Sequence, residues 1–138
     1  MKNLKLLLVI HAIVTFAAAV VLIVEPSLIP KTVNIEVNHD QYLLSYFLGA
    51  AELGIAYLSF QSRNIKDKYA LKIIIISFIV FHSSTGVLEV YGLLQGTDFK
   101  IIGNILLRAV ISILFYYFGV YKINRQGDNF IKCIDQSL

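Results

Sequence analysis

The chain has 138 residues, of which 57% are apolar and only 15% charged, a balance that excludes an ordinary soluble domain and fits a chain covered by lipid. Its formal net charge of +3 comes from Lys and Arg residues placed between apolar runs, which excludes a nucleic-acid-binding protein. The single cysteine, Cys133, excludes a disulfide framework and any Cys-x-x-Cys motif.

Four apolar segments are each long enough to cross the membrane as a helix, which takes roughly 20 residues. In chain order they are Leu4–Val24, Gln41–Gln61, Tyr69–Leu94 and Ile101–Tyr121. The sequence therefore predicts a single all-α domain, an integral membrane four-helix bundle over residues 1–121, followed by a short cytoplasmic tail over residues 122–138.

The residues that flank these segments are of the types that begin and end helices. Asp40, Asp67 and Asp98 each come just before a span, where a carboxylate accepts hydrogen bonds from the free amides of the first turn. Pro26 and Pro30 are expected to stop the first helix.

The first segment also has features of a cleaved signal peptide. Two lysines precede an apolar run that contains Ala17-Ala18-Ala19, a small-residue cleavage pattern. Because the apolar run continues past this pattern to Val24 and is interrupted by His11, a retained span is the favoured interpretation.

The first connection is the longest one. Val33, Ile35 and Val37 alternate with more polar residues, which is typical of a strand, although the segment is too short to form a sheet alone. We expect it to lie over the outer mouth of the bundle.

Charge is distributed unevenly between the connections. Basic residues precede the first span, surround the second connection and follow the last span, at Lys2, Lys5, Arg63, Lys66, Lys68, Lys72, Lys122, Arg125 and Lys132. Since positively charged loops stay in the cytoplasm, both termini are expected there, in a multi-pass protein of a bacterial-type inner membrane.

Ionisable side chains within a bilayer are rare and usually functional, so those inside the predicted spans are candidate site residues. They fall into two layers at different depths. Counted from the outer end, His11, Glu52 and His82 lie at roughly 16 to 20 Å, near the midplane. Glu52 at this depth is expected to be protonated or to share a proton with His82. These three residues are the candidates for a proton site or a pocket.

The second layer lies nearer the outer end, where Glu89 and Arg108 fall at roughly 7 to 11 Å and Asn104 just above them. An ion pair that fixes the helix register is one interpretation of Glu89 and Arg108. The other is a site for a polar or anionic headgroup at Arg108. Asn104 is expected to hold helices together rather than to bind a ligand.

Two histidines and a carboxylate are also a set that could hold iron, zinc or manganese. His11, Glu52 and His82 come from three helices without any local spacing pattern, so we predict no metal site. The sequence has no Gly-rich phosphate loop, no Gly-x-Ser-x-Gly and no His-Glu-x-x-His, and so indicates no particular reaction.

The second segment contains Gly49-Ala50-Ala51-Glu52-Leu53-Gly54-Ile55-Ala56-Tyr57-Leu58, which resembles the Glu-then-Gly segment in the second helix of the DoxX-like family of small four-helix membrane proteins. The position of His82 in the third segment is similar to a histidine seen in some members. The resemblance implies a membrane redox role, since some members are linked to quinone-dependent sulfur oxidation or to complexes that handle thiol stress.

Three classes of function remain open. The chain could be a redox accessory whose polar pocket binds a quinone or a lipid headgroup, with Glu52 and His82 exchanging protons with it. It could instead be a small proton-coupled transporter that works as a homo-oligomer, in which Glu52 carries the proton. The third class is a non-catalytic assembly subunit of a membrane complex, whose polar residues only hold helices together.

Overall fold

The computed structural model describes residues 2–125, which are helical apart from short connections and contain no strand. The helices are α1 (Lys2–Val24), α2 (Leu28–Thr32), α3 (Tyr42–Ser62), α4 (Lys68–Leu94) and α5 (Ile102–Phe115). Short 3₁₀ turns at His39–Gln41 and Phe99–Ile101 lead into α3 and α5, and a π-helical segment, Tyr116–Tyr121, extends α5.

Four of these helical stretches are long and apolar enough to cross a membrane: Lys2–Val24, His39–Ser62, Lys68–Leu94 and Phe99–Arg125. Their bounds agree with the predicted spans to within a few residues. Large apolar side chains such as Phe47, Leu88 and Ile113 are exposed on their outer faces. Lipid is the environment that would cover such faces.

The spans pack as two hairpins, with α1 against α3 and α4 against α5. Gly49 allows the close approach of the first pair: a Cβ atom there would lie 2.8 Å from Ile23 Cγ1 and 3.2 Å from the Ala19 carbonyl oxygen. Small residues at helix contacts are the usual means of packing helices in lipid.

The end of the bundle that carries residues 2 and 125, the terminal end, is filled by an apolar core. Leu8, Ile75 and Phe115 are fully buried there, and Phe78 is 2% exposed. At Gly119 an added Cβ atom would lie only 2.6 Å from Ile75 Cδ1, so the π-helical segment lies directly on α4. This core holds the two hairpins together at the terminal end.

The opposite end of the bundle, which carries the first and third connections, is the loop end. Two predictions about the first connection differ from the structure. Pro30 does not stop a helix but lies in the first turn of α2, where a missing amide hydrogen costs little. Residues 35–38, where the alternating pattern is typical of a strand, have no regular secondary structure and pair with no strand among the described residues. The connection does lie over the bundle, as expected.

The predicted helix caps are right at two of three positions. Asp67 accepts a hydrogen bond from the Tyr69 amide at 2.8 Å, and Asp98 accepts one from the Lys100 amide at 2.8 Å. Asp40 is not a cap, because it lies within the 3₁₀ turn that starts after Asn38. Of the predicted tail, residues 122–125 continue the last helix; the rest, with Cys133, lies outside the described residues.

Candidate functional site

Two residues of the midplane layer, His11 and His82, form a hydrogen-bonded chain with Ser59 across three helices. His11 on α1 faces His82 on α4 with 2.8 Å between their Nε2 atoms. His11 Nδ1 lies 2.9 Å from Ser59 Oγ on α3, and the Ser59 hydroxyl donates to the Leu8 carbonyl at 3.0 Å. All three side chains are at least nine-tenths buried.

Glu52 does not make the expected contact with His82. Its side chain is buried, at 8% exposure, yet it has no hydrogen bond to any described residue. The reason is the position of α1, which brings His11 between α3 and α4 and thereby occupies Nε2 of His82. Proton sharing between Glu52 and His82 is therefore not supported by the geometry, and protonation of Glu52 stays a prediction.

The outer layer contains the ion pair that the helix depths predicted. Arg108 Nε on α5 donates to Glu89 Oε1 on α4 over 2.8 Å. Asn104 Nδ2 donates to the same oxygen over 2.7 Å, so Asn104 joins the two helices. The side chains of Arg108 and Glu89 are 15% and 12% exposed.

Some hydrogen-bonding atoms of Glu89 and Arg108 have no partner among the described residues. Glu89 Oε2 is buried and has no hydrogen-bond partner among the described residues. Arg108 donates through Nε, and within residues 2–125 no acceptor is found for its two Nη groups. The pair thus retains donors and an acceptor for a further molecule.

Glu89, Arg108 and Asn104 line a cavity of about 800 Å³ at the loop end, the loop-end cavity. Its volume lies within the usual range for small-molecule pockets, about 300–1,000 Å³. Its walls come from α3, α4 and α5, and the first connection contributes Val33, Ile35 and other residues. Glu52 and His82 do not line it, so of the two predicted layers the outer one faces this space.

A small polar network fastens the first connection to the third, which sequence reasoning missed. Asn34, whose φ is 57°, donates from Nδ2 to Asp98 Oδ2 over 2.6 Å. Lys100 Nζ donates to Asn34 Oδ1 over 3.0 Å. Asparagine adopts the left-handed conformation more readily than most residues, so Asn34 is suited to this position. The sequence alone does not show that Asn34 contacts Asp98. We call these three residues the loop clasp.

The loop clasp has an electrostatic consequence at Asp98. The hydrogen bond from the Lys100 amide, together with the Asn34 amide and the Lys100 charge, holds the pKa of Asp98 below its ordinary value of 3.8. Asp98 is therefore ionised at neutral pH and keeps both connections together.

Within residues 2–125, no group of three His, Cys, Asp or Glu side chains is placed to hold a metal ion. His11 and His82 each use Nε2 in the contact between them, and Glu52 forms a hydrogen bond with neither ring. Within the described residues, His11 and His82 therefore form a hydrogen-bonded chain with Ser59, and Glu52 stands apart from it.

Comparison of the chain with models of protein families, with curated proteins and with solved structures found no match.

Proposed function

We propose that this chain is a multi-pass protein of a bacterial-type inner membrane that binds a small molecule in the loop-end cavity. The observation that carries the proposal is the partial use of the Glu89–Arg108 pair, which leaves Glu89 Oε2 buried without a partner beside the cavity. A buried acceptor without a donor costs about 1–3 kcal/mol, and a ligand that supplies the donor recovers this.

The chemistry of the pair defines the ligand class. Glu89 already neutralises Arg108, so a simple anion gains little there, whereas a molecule with both an acceptor and a donor satisfies both residues. A hydroquinone offers a hydroxyl oxygen that accepts from Arg108 and a hydroxyl hydrogen that it donates to Glu89, whereas its oxidised quinone has only carbonyl acceptors and pairs with Arg108 alone. A zwitterionic lipid headgroup offers a phosphate to Arg108 and an ammonium to Glu89.

A membrane redox accessory is the role that we favour for such a site. The resemblance of residues 49–58 to DoxX-like proteins supports a quinone as the ligand. In this proposal Glu89, rather than Glu52 or His82, would exchange the proton with the headgroup, since Glu89 lines the cavity beside Arg108, whereas Glu52 and His82 do not line it.

The experiment is native mass spectrometry of the purified full-length chain, with extraction and identification of any retained quinone or lipid. Arg108→Gln should lose the bound molecule. Arg63→Gln is the matched control, because Arg63 lies against Phe60, outside the cavity lining, and it should retain the molecule. Equal retention by both variants, or an empty wild-type protein that takes up neither decylubiquinone nor phosphatidylethanolamine, would contradict the proposal.

One observation favours an assembly subunit as a second candidate. Within residues 2–125, the contacts between ionisable side chains of the long helices each join two helices: Glu89 with Arg108, and His11 with His82. A protein whose polar residues only hold helices together would show the same contacts. It would bind neither probe and would co-purify with other membrane subunits. Substrate-driven proton flux in liposomes would instead indicate the transporter.

A further inference from the structure

His82 contains a buried nitrogen that lacks a hydrogen-bond partner. The residue is 6% exposed, and Nδ1 contacts neither a donor nor an acceptor among the described residues. Buried polar atoms are nearly always hydrogen-bonded, so an exception requires an explanation. The neighbouring hydrogen bonds determine which chemical character this nitrogen has.

The positions of the protons follow from Ser59. Its hydroxyl has one hydrogen, which it donates to the Leu8 carbonyl, so Ser59 Oγ accepts from His11 Nδ1. A neutral His11 then has a bare Nε2, which accepts the hydrogen of His82 Nε2. A neutral His82 that donates from Nε2 has no hydrogen on Nδ1. Nδ1 of His82 is therefore an acceptor that needs a donor.

His82 also lines a groove of about 410 Å³ between α4 and α5, the His82 groove. Ser83 and Ser112 line it, and their hydroxyl oxygens lie 3.4 Å apart in a hydrogen bond. Gly86 and Ala109 also line it, and their small size leaves space in the groove. The residues at its rim, Val87 and Ile113, are 67% and 65% exposed on faces that lipid would cover. The groove thus opens sideways, toward the bilayer, and Asp, Glu, Lys and Arg are absent from its lining.

We propose that the His82 groove is a second binding site, separate from the loop-end cavity, for a membrane-soluble molecule with a neutral hydroxyl group that donates to His82 Nδ1. Hydrocarbon offers no donor to this nitrogen, so a ligand that arrives through the lipid is the source that matches the sideways opening. A mostly apolar lining without Asp, Glu, Lys or Arg favours a neutral molecule over an ionic headgroup. Both a hydroquinone and a long-chain alcohol have this chemistry.

The test uses the full-length chain, labelled with ¹⁵N at histidine, in nanodiscs of phosphatidylcholine, a lipid without a hydroxyl group. The probes are decylhydroquinone, its dimethyl ether, which has the same shape without a donor, and farnesol. The ¹⁵N resonance of His82 Nδ1 should move toward its hydrogen-bonded position with a hydroxyl probe and stay in place with the ether. Loss of one hydrogen bond predicts about tenfold weaker binding of the ether.

Three variants show where the probe binds. Ala109→Leu fills the groove and should abolish the shift, whereas Ala17→Leu, on an exposed face of α1 outside the groove, should preserve it. Arg108→Gln should also preserve it, which separates this site from the proposed function of the loop-end cavity.

The comparison between the two hydroxyl probes identifies the ligand class, since the one that acts at lower concentration is the better match. The proposal is overturned if His82 Nδ1 does not respond to either hydroxyl probe. It is also overturned if the ether binds as well as the hydroquinone, if Ala109→Leu responds like the wild type, or if water alone already occupies Nδ1 and the probes do not displace it.

Discussion

His11 and His82 face each other with 2.8 Å between their Nε2 atoms, and this contact joins the two hairpins of the bundle. α1 belongs to one hairpin and α4 to the other, and otherwise mainly apolar contacts at the terminal end connect them. The histidine pair therefore specifies how the hairpins align, whereas the apolar core supplies most of the packing.

Removing one histidine of this pair should destabilise the bundle more than removing both. His11→Leu leaves the Nε2 hydrogen of His82 buried without an acceptor, at a cost of about 1–3 kcal/mol in the free energy of unfolding. His11→Leu combined with His82→Leu removes both polar groups and should recover part of that loss. Denaturant titration in detergent measures the three variants, with Ser84→Ala, on an exposed face, as control. Additive single losses would show that the two rings do not interact.

The Glu89–Arg108 pair should show a similar but larger coupling. Arg108→Leu leaves the Glu89 carboxylate without its charged partner, which costs on the order of 3 kcal/mol for a buried pair. The double variant with Glu89→Leu should be more stable than Arg108→Leu alone. Asn104 still donates to Glu89 in the single variant, so Asn104→Leu must be combined with it to measure the full effect. If the double variant is only the sum of the singles, the pair contributes nothing as a unit.

The sequence predicted the spans well because a bilayer requires long apolar segments, and their length is visible without any knowledge of packing. The pairing of Glu89 with Arg108 also followed from depth, since the two helices are consecutive and antiparallel. The position of Glu52 did not follow. Depth along an axis leaves the rotation of each helix and the choice of neighbours undetermined, and α1 rather than α3 presents its polar residue to His82.

Other features depend on tertiary contacts that local patterns do not encode. Gly119 is required by the proximity of Ile75 on α4, and nothing in the neighbouring sequence marks this contact. Pro30 was misjudged because a proline that ends one helix is equally suited to the first turn of another. The clasp between Asn34 and Asp98 joins residues 64 positions apart, so it becomes visible only when both connections are in place.

The orientation of the bundle can be tested with reporter fusions. The terminal end carries most of the basic residues, including Lys2, Arg63 and Lys122, whereas the loop end carries Lys31 and Lys100. The positive-inside rule then predicts the terminal end in the cytoplasm. A fusion after Lys31 should report an external position and one after Lys66 a cytoplasmic position. Equal signals from the two fusions would contradict the proposed topology.

The loop clasp should open at low pH because its contacts require an ionised Asp98. The pKa of Asp98 in the folded chain is below its ordinary value of 3.8, so the folded state holds this proton more weakly than the unfolded state. The contribution of Asp98 is therefore fully present above about pH 3.8 and is lost as the pH falls through the lower, folded-state value. Opening would release the first connection from the loop-end cavity.

A spin label on the first connection measures this release directly. Glu36 is exposed and lies at the cavity, so Glu36→Cys in a Cys133→Ser background carries the label. Its spectrum should show slow motion at pH 6 and faster motion as the pH falls below about 3.8, the ordinary value for Asp98. Asp98→Ala removes the acceptor for both Asn34 and the Lys100 amide, so its label should be mobile even at pH 6.

Asp67→Ala, which removes an equivalent helix cap at the other end, is the control and should leave the motion of the label unchanged. A label in Asp98→Ala that stays as slow as in the parent at pH 6 would show that the clasp does not hold the first connection over the cavity.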